Sequence, residues 1–68
     1  MDFKKLGETI RAYREKTGMS QETFALNIGM DRTYYSAVEN GKHNITINNL
    51  KKICDGLNIT LSELLKDL

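Results

Sequence analysis

Proline and tryptophan are absent from this 68-residue chain, and cysteine and histidine occur once each. A single cysteine excludes an internal disulfide, and His43 with Cys54 falls short of the ligand set of a zinc site. The five glycines are scattered, so there is no glycine-rich phosphate loop. No apolar run approaches the roughly 20 residues of a membrane span. The first residues lack a charged-then-apolar leader pattern. Cytoplasmic residence is the expectation, and an unpaired cysteine suits a reducing compartment. An excess of one charge sign is missing as well, since the net charge is +1. That balance does not by itself point to nucleic acid, although Lys4, Lys5, Arg11 and Arg14 crowd the start of the chain. The acidic residues form no obvious inward pair, and the lone histidine has no nucleophile at a recognisable spacing. Neither catalysis nor a cofactor nor a metal is expected.

What remains must fold with small means. The chain is near the lower limit for a self-sufficient hydrophobic core, and it reads as one domain over 1–68. Its core must pack efficiently, or a partner subunit must add buried surface. The 40 % apolar share is that of an ordinary globular domain rather than a disordered chain.

The same helix-start pattern recurs at four places. An apolar residue precedes Ser, Asp or Thr, and a second apolar residue follows five positions after the first: Met19-Ser20 with Phe24, Met30-Asp31 with Tyr35, Ile45-Thr46 with Leu50, and Ile59-Thr60 with Leu64. The polar member is an N-cap whose side-chain oxygen accepts from an orphan backbone N–H. The apolar pair is a hydrophobic staple. Glu63 completes a capping box with Thr60, and Gly18, Gly29, Gly41 and Asn58 stand where left-handed residues end helices. Five helices are predicted, over about 3–17, 20–28, 32–40, 47–57 and 61–66, with no convincing strand. Inward stripes run through Phe3, Leu6, Ile10 and Tyr13, then Leu50, Ile53, Cys54 and Leu57, then Leu61, Leu64 and Leu65. Cys54 reads as a small buried core residue.

The second and third predicted helices are separated only by Gly29, Met30 and the cap Asp31, so they must cross steeply. Ala25 is small enough for the crossing, Gly29 tolerates positive φ, and Phe24, Ile28, Met30, Tyr35 and Val38 fill the angle. This is helix-turn-helix grammar. The run Gly18-Met19-Ser20-Gln21, Phe24-Ala25, Gly29 and Val38-Glu39-Asn40-Gly41-Lys42 resembles the phage repressor and Cro (XRE-type) family of helix-turn-helix regulators. Leu50 to Cys54 and Leu57 to Leu64 resemble that family's fourth and fifth helices, so the likeness covers nearly the whole chain. Asp31-Arg32-Thr33-Tyr34 also resembles the recognition-helix start of restriction–modification controller proteins, a branch of the family. The resemblance implies an all-α, five-helix, lambda-repressor-like DNA-binding domain that regulates transcription. Three positions depart from the pattern: Thr23 leaves the capping box at Ser20 incomplete, Asn58 replaces a common glycine, and Gly56 replaces a common alanine at up to about 1 kcal/mol of helix propensity.

On a wheel of roughly 100° per residue, Tyr35, Val38 and Glu39 share one side of the third helix. Arg32, Thr33, Ser36, Ala37 and Asn40 share the other, with Tyr34 at the margin. The second side is expected in the major groove of duplex DNA. There Arg32 can donate two bonds to guanine, and Thr33 and Ser36 can hydrogen-bond base edges. Ala37 keeps the helix close to the groove floor, and Tyr34 can meet a pyrimidine edge or a phosphate. Gln21, at the start of the second helix, is placed to meet a phosphate, the role that glutamine has in the family. Asn40, Lys42, His43 and Asn44 follow the third helix as further phosphate contacts, which position without specifying. The resemblance also implies an ion pair between Arg14 and Glu39, fixing the angle of the recognition helix. It implies a two-fold homodimer on a palindrome, and the apolar surplus at Leu57, Ile59, Leu61, Leu65 and Leu68 is the expected interface. Each of these residues has a plainer reading as surface, loop or core. The competing functional reading is a protein-interaction or antitoxin-type module, against which the polar, short-chained outer face of the third helix speaks.

Overall fold

The computed structural model describes residues 1–42 and 44–68; His43, one of the expected phosphate contacts, lies outside the described residues. Five helices follow in order: α1 (Phe3–Thr17), α2 (Gln21–Asn27), α3 (Arg32–Glu39), α4 (Ile47–Leu57) and α5 (Leu61–Leu65). No strand occurs among the described residues. The ends differ from expectation by one residue. Ser20 stands outside α2 as its cap, while Ile28, Asn40 and Lys66 are C-caps rather than helical residues.

The caps explain why such short helices hold. Ser20, Asp31, Thr46 and Thr60 each accept from the backbone N–H three residues on, at 3.1, 3.0, 3.2 and 3.0 Å. Glu63 returns the bond to the Thr60 N–H at 2.9 Å, completing the box, and that bond holds its carboxyl below the usual range. Asp2 caps α1 in the same way, with Met1 and Leu6 at the same spacing as the other four apolar pairs. Thr23 does not close a box there: its hydroxyl accepts from the Ser20 hydroxyl at 3.1 Å rather than from the Ser20 backbone N–H.

α1 packs on α3, α4 and α5, and α2 packs on α3. The core joins Leu6, Ile10, Phe24, Ala25, Tyr35, Val38, Leu50, Ile53, Cys54, Leu57 and Leu64. Phe24 and Tyr35 meet across the α2–α3 angle with ring centroids 5.2 Å apart and planes tilted by 51°. Gly29 turns the chain between those helices at φ 66°. Two other glycines act through their missing Cβ. A side chain on Gly7 would run into the backbone of Val38 and Glu39, so Gly7 sets how closely α1 approaches α3. A side chain on Gly56 would press on Ile28 and on Phe24, 3.1 Å from its Cζ. Gly56 is therefore a close-packing residue, and an alanine there would not simply recover helix propensity.

Leu57 corrects one expectation. It is 9 % exposed and belongs to the core, so it cannot serve as an interface residue. Ile59, Leu61 and Leu65 are half-buried against that core. Leu68 is exposed, as are Leu26 and Ile47, two apolar residues to which the sequence reading gave no role.

Candidate nucleic-acid interface

α3 divides as its wheel requires. Tyr35, Val38 and Glu39 are buried, whereas Arg32, Thr33 and Asn40 are exposed and Ser36 and Ala37 are half-buried. The outer side chains do not merely face the same way. Arg32, Thr33, Ser36, Ala37 and Asn40 line one shallow open depression together with Lys42. Sequence spacing placed the first five on one face; the turn at Gly41 brings Lys42 to join them. Asn44 is exposed beyond that turn.

The start of α3 is held so that this face points outward. Asp31 caps the helix through the Tyr34 N–H, which leaves Arg32 and Thr33 in an ordered first turn. Ala37 contributes only a methyl, so the middle of the depression is low and a flat partner can approach the helix backbone. Around that methyl are a planar guanidinium, two hydroxyls, an amide and an ammonium. This is a donor-rich set without an acidic member, suited to base edges and phosphates.

Behind α3 lies a polar cluster that fixes its angle. The Glu39 carboxylate accepts from Arg14 twice, Nε at 2.7 Å and Nη2 at 3.2 Å. It also accepts from Gln21 Nε2 at 2.8 Å and from the Tyr35 hydroxyl. Arg14 Nη1 reaches the Met19 carbonyl at 2.8 Å, tying α1 to the turn before α2. Arg14 and Glu39 are 8 % and 4 % exposed. Burial alone would raise the Glu39 pKa, but the donors from Arg14, Tyr35 and Gln21 outweigh it and hold the carboxyl below its usual range. The same contact raises Arg14, and burial followed by the Glu39 carboxylate pushes the Tyr35 phenol far upward. Among the described residues, no buried side-chain polar atom lacks a partner. Gln21 is thus half-buried, with one amide N–H directed inward to Glu39. Its position at the first turn of α2 still puts the free backbone N–H groups of that turn at the surface.

The cation supply is smaller than the sequence suggests. Arg14 is consumed by Glu39, and Arg11 pairs with Glu15 at 3.4 Å on the surface. Lys4 is better placed than its position in the chain implies. A Cβ on Gly41 would lie 2.5 Å from the Lys4 Cα, so the start of α1 sits directly against the turn that carries Lys42. No spacing rule links positions 4 and 41; only the α1–α3 packing does. Tyr34 is half-buried at the edge of the face, and its hydroxyl accepts from Asn49 Nδ2 of α4 at 3.3 Å. Asn49 is a second neighbour of the face without a sequence signal.

Among the described residues there is no group of three His, Cys, Asp or Glu that could hold a metal ion, and no helix long and apolar enough to cross a membrane.

The geometry agrees with three comparisons. A helix-turn-helix family model matches residues 10–64. The chain is 60 % identical over 55 residues to the control protein C.MunI from Mycoplasma sp, an alignment spanning 81 % of this chain and 74 % of that protein. Among solved structures it is similar to the restriction-modification controller protein C.AhdI from Aeromonas hydrophila, with a TM-score of 0.90, 39 % identity and coverage of 94 % and 93 % of the two chains. It is also similar to the restriction-modification controller protein C.Esp1396I, solved as a tetramer in complex with its natural 35 base-pair operator. There the TM-score is 0.85 with 32 % identity, covering 96 % of this chain and 86 % of that one.

Proposed function

The chain belongs to the helix-turn-helix family of phage-repressor and Cro-like regulators, among the restriction–modification controller proteins, and from that premise we propose that it reads a palindromic operator as a homodimer through the outer face of α3. It is a sequence-specific regulator that binds double-stranded DNA. It acts in the cytoplasm, by binding alone and without catalysis. The observation that carries the reading is the single depression shared by Arg32, Thr33, Ser36, Ala37, Asn40 and Lys42.

Arg32, in the first turn of α3, donates its two-pronged guanidinium to guanine O6 and N7. Thr33 and Ser36 reach neighbouring base edges, Tyr34 adds its hydroxyl at the margin, and Ala37 lets the helix sit deep. Lys42, Asn40 and Asn44 grip the backbone beyond the C-terminal end of α3. Lys4 joins them from α1, and the first turn of α2 at Gln21 grips it on the other side. Ile59, Leu61, Leu65 and Leu68 form the two-fold contact that places two such faces about one helical turn apart.

Selection of bound duplexes from a random pool tests this. The expected result is a two-fold symmetric motif whose half-sites lose enrichment when Arg32 is replaced. No enrichment over the starting pool would overturn the assignment of α3 as the reading element.

A further inference from the structure

On the reading that α3 contacts DNA, we infer that Gly41 is a positioning residue that sets Lys4 of α1 and Lys42 as one two-cation clamp on the DNA backbone. Two properties of this position combine. The first is its backbone. Gly41 has φ 71°, and in that left-handed turn its N–H donates to the Val38 carbonyl at 3.0 Å while the Lys42 N–H donates to the Ala37 carbonyl at 2.9 Å. Lys42 is thereby tied to the last turn of α3, and it lines the same depression as Arg32 and Thr33. The second property is the missing side chain. A Cβ on Gly41 would lie 2.5 Å from the Lys4 Cα and 2.9 Å from the Lys4 nitrogen. The α-carbon of the turn therefore rests on the α1 backbone itself.

Gly7, further along α1, makes a close approach of the same kind to the carbonyls of Val38 and Glu39. Residues 4 and 7 lie on one face of α1, so the two contacts together lay that helix along the end of α3. The contact at position 4 uses the backbone of Lys4 and leaves its ammonium to the surface. Lys4 and Lys42 are both exposed, and neither has an ion pair among the described residues. Lys5, about 100° round α1, instead lines a separate depression between α1 and α5 with Tyr13 and Leu64. Only Lys4 is thus brought to the reading side. Because the turn has already placed the two cations, less ordering has to be done on binding. A pair fixed in this way sets the register and orientation of α3 on the duplex rather than its choice of bases.

Salt titrations of binding to the most enriched duplex from the random pool test the inference. Lys4→Ala is expected to lower the slope of log affinity against log salt by about one per subunit, whereas Lys5→Ala leaves it unchanged. Gly41→Asn keeps the left-handed turn, a conformation Asn58 adopts at φ 58° in this chain, and puts a Cβ against Lys4. It is expected to lower the slope by about one while the preference across single-base variants stays as it was. In that background one of Lys4→Ala and Lys42→Ala then has no further effect on the slope, because its ammonium has already left the clamp. A loss of affinity with an unchanged slope would make Gly41 a residue of fold stability alone and overturn the role. Full additivity with both lysine variants would overturn it too. Should Gly41→Asn not fold, the contrast between Lys4 and Lys5 decides, and equal slopes for those two variants overturn the inference. Arg32→Ala separates the two levels of the proposal. If it weakens the enriched duplex while Lys4→Ala and Gly41→Asn leave the slope unchanged, α3 reads DNA and the clamp alone falls. If none of the three affects binding, the reading face falls with it.

Discussion

At Gly7 the ordinary rule for helices changes sign. Glycine inside a helix normally costs about 1 kcal/mol relative to alanine. Here an alanine Cβ would meet the carbonyls of Val38 and Glu39, backbone atoms that cannot swing aside. Gly7→Ala is therefore expected to destabilise the fold by about 1–3 kcal/mol, read as a lowered urea midpoint. An unchanged or raised midpoint would show that α1 can retreat from α3. Gly41 carries two constraints at once, a φ of 71° and the Lys4 backbone against its α-carbon. Arg32 is constrained in the opposite sense, exposed and without an ion pair among the described residues, so its donors remain for a ligand. Arg32→Ala is expected to cost about 1–3 kcal/mol on sites carrying its preferred base pair and to relax the preference there. Binding measured across single-base operator variants checks this, and uniform weakening on all of them would move Arg32 to the phosphate backbone.

Among the elements, α3 is the one whose orientation matters and whose own length is least able to secure it. Eight residues give too few backbone hydrogen bonds for independent stability. The helix is held from outside instead, by the Asp31 cap at one end and by Glu39 at the other. Glu39 gathers donors from α1, α2 and α3, so its charge links all the elements that set the reading angle. Its pKa is lower in the folded chain than the ordinary carboxylate value. The stability it contributes is therefore full above the ordinary carboxylate range and is lost as the pH falls through the depressed folded value. Glu39→Gln is expected to flatten that acid limb and, by leaving Arg14 buried without its partner, to cost about 3–5 kcal/mol at neutral pH. Urea unfolding followed from neutral pH into the acid range checks both. An acid limb as steep as the parent's would place the titrating group elsewhere.

For the whole molecule, the distribution of cations decides how binding should respond to salt. With Arg14 and Arg11 engaged internally, few exposed cations remain beside the reading face, chiefly Arg32, Lys42 and Lys4. Each subunit is expected to release few counterions, so affinity should fall with a modest slope in log salt. Lys4→Ala should lower that slope by about one per subunit without altering base preference. Sedimentation should find a dimer on operator DNA, with Leu65→Lys breaking it. A monomer that stays monomeric on DNA would remove the α5 interface. Much of this was legible in the chain itself. Caps, staples and helix stops are local chemistry, so the α2–α5 starts, the Gly29 corner and the two sides of α3 could be read from spacing. That Arg32, Thr33, Ser36, Ala37 and Asn40 share one outer side followed because one short helix with a known wheel carries them. Contacts between segments distant in the chain have no such periodicity. Packing alone decided that Gly7 and Gly56 are close approaches, that Gln21 turns inward to Glu39, and that Lys4 and Asn49 stand beside a face built from neither of their helices.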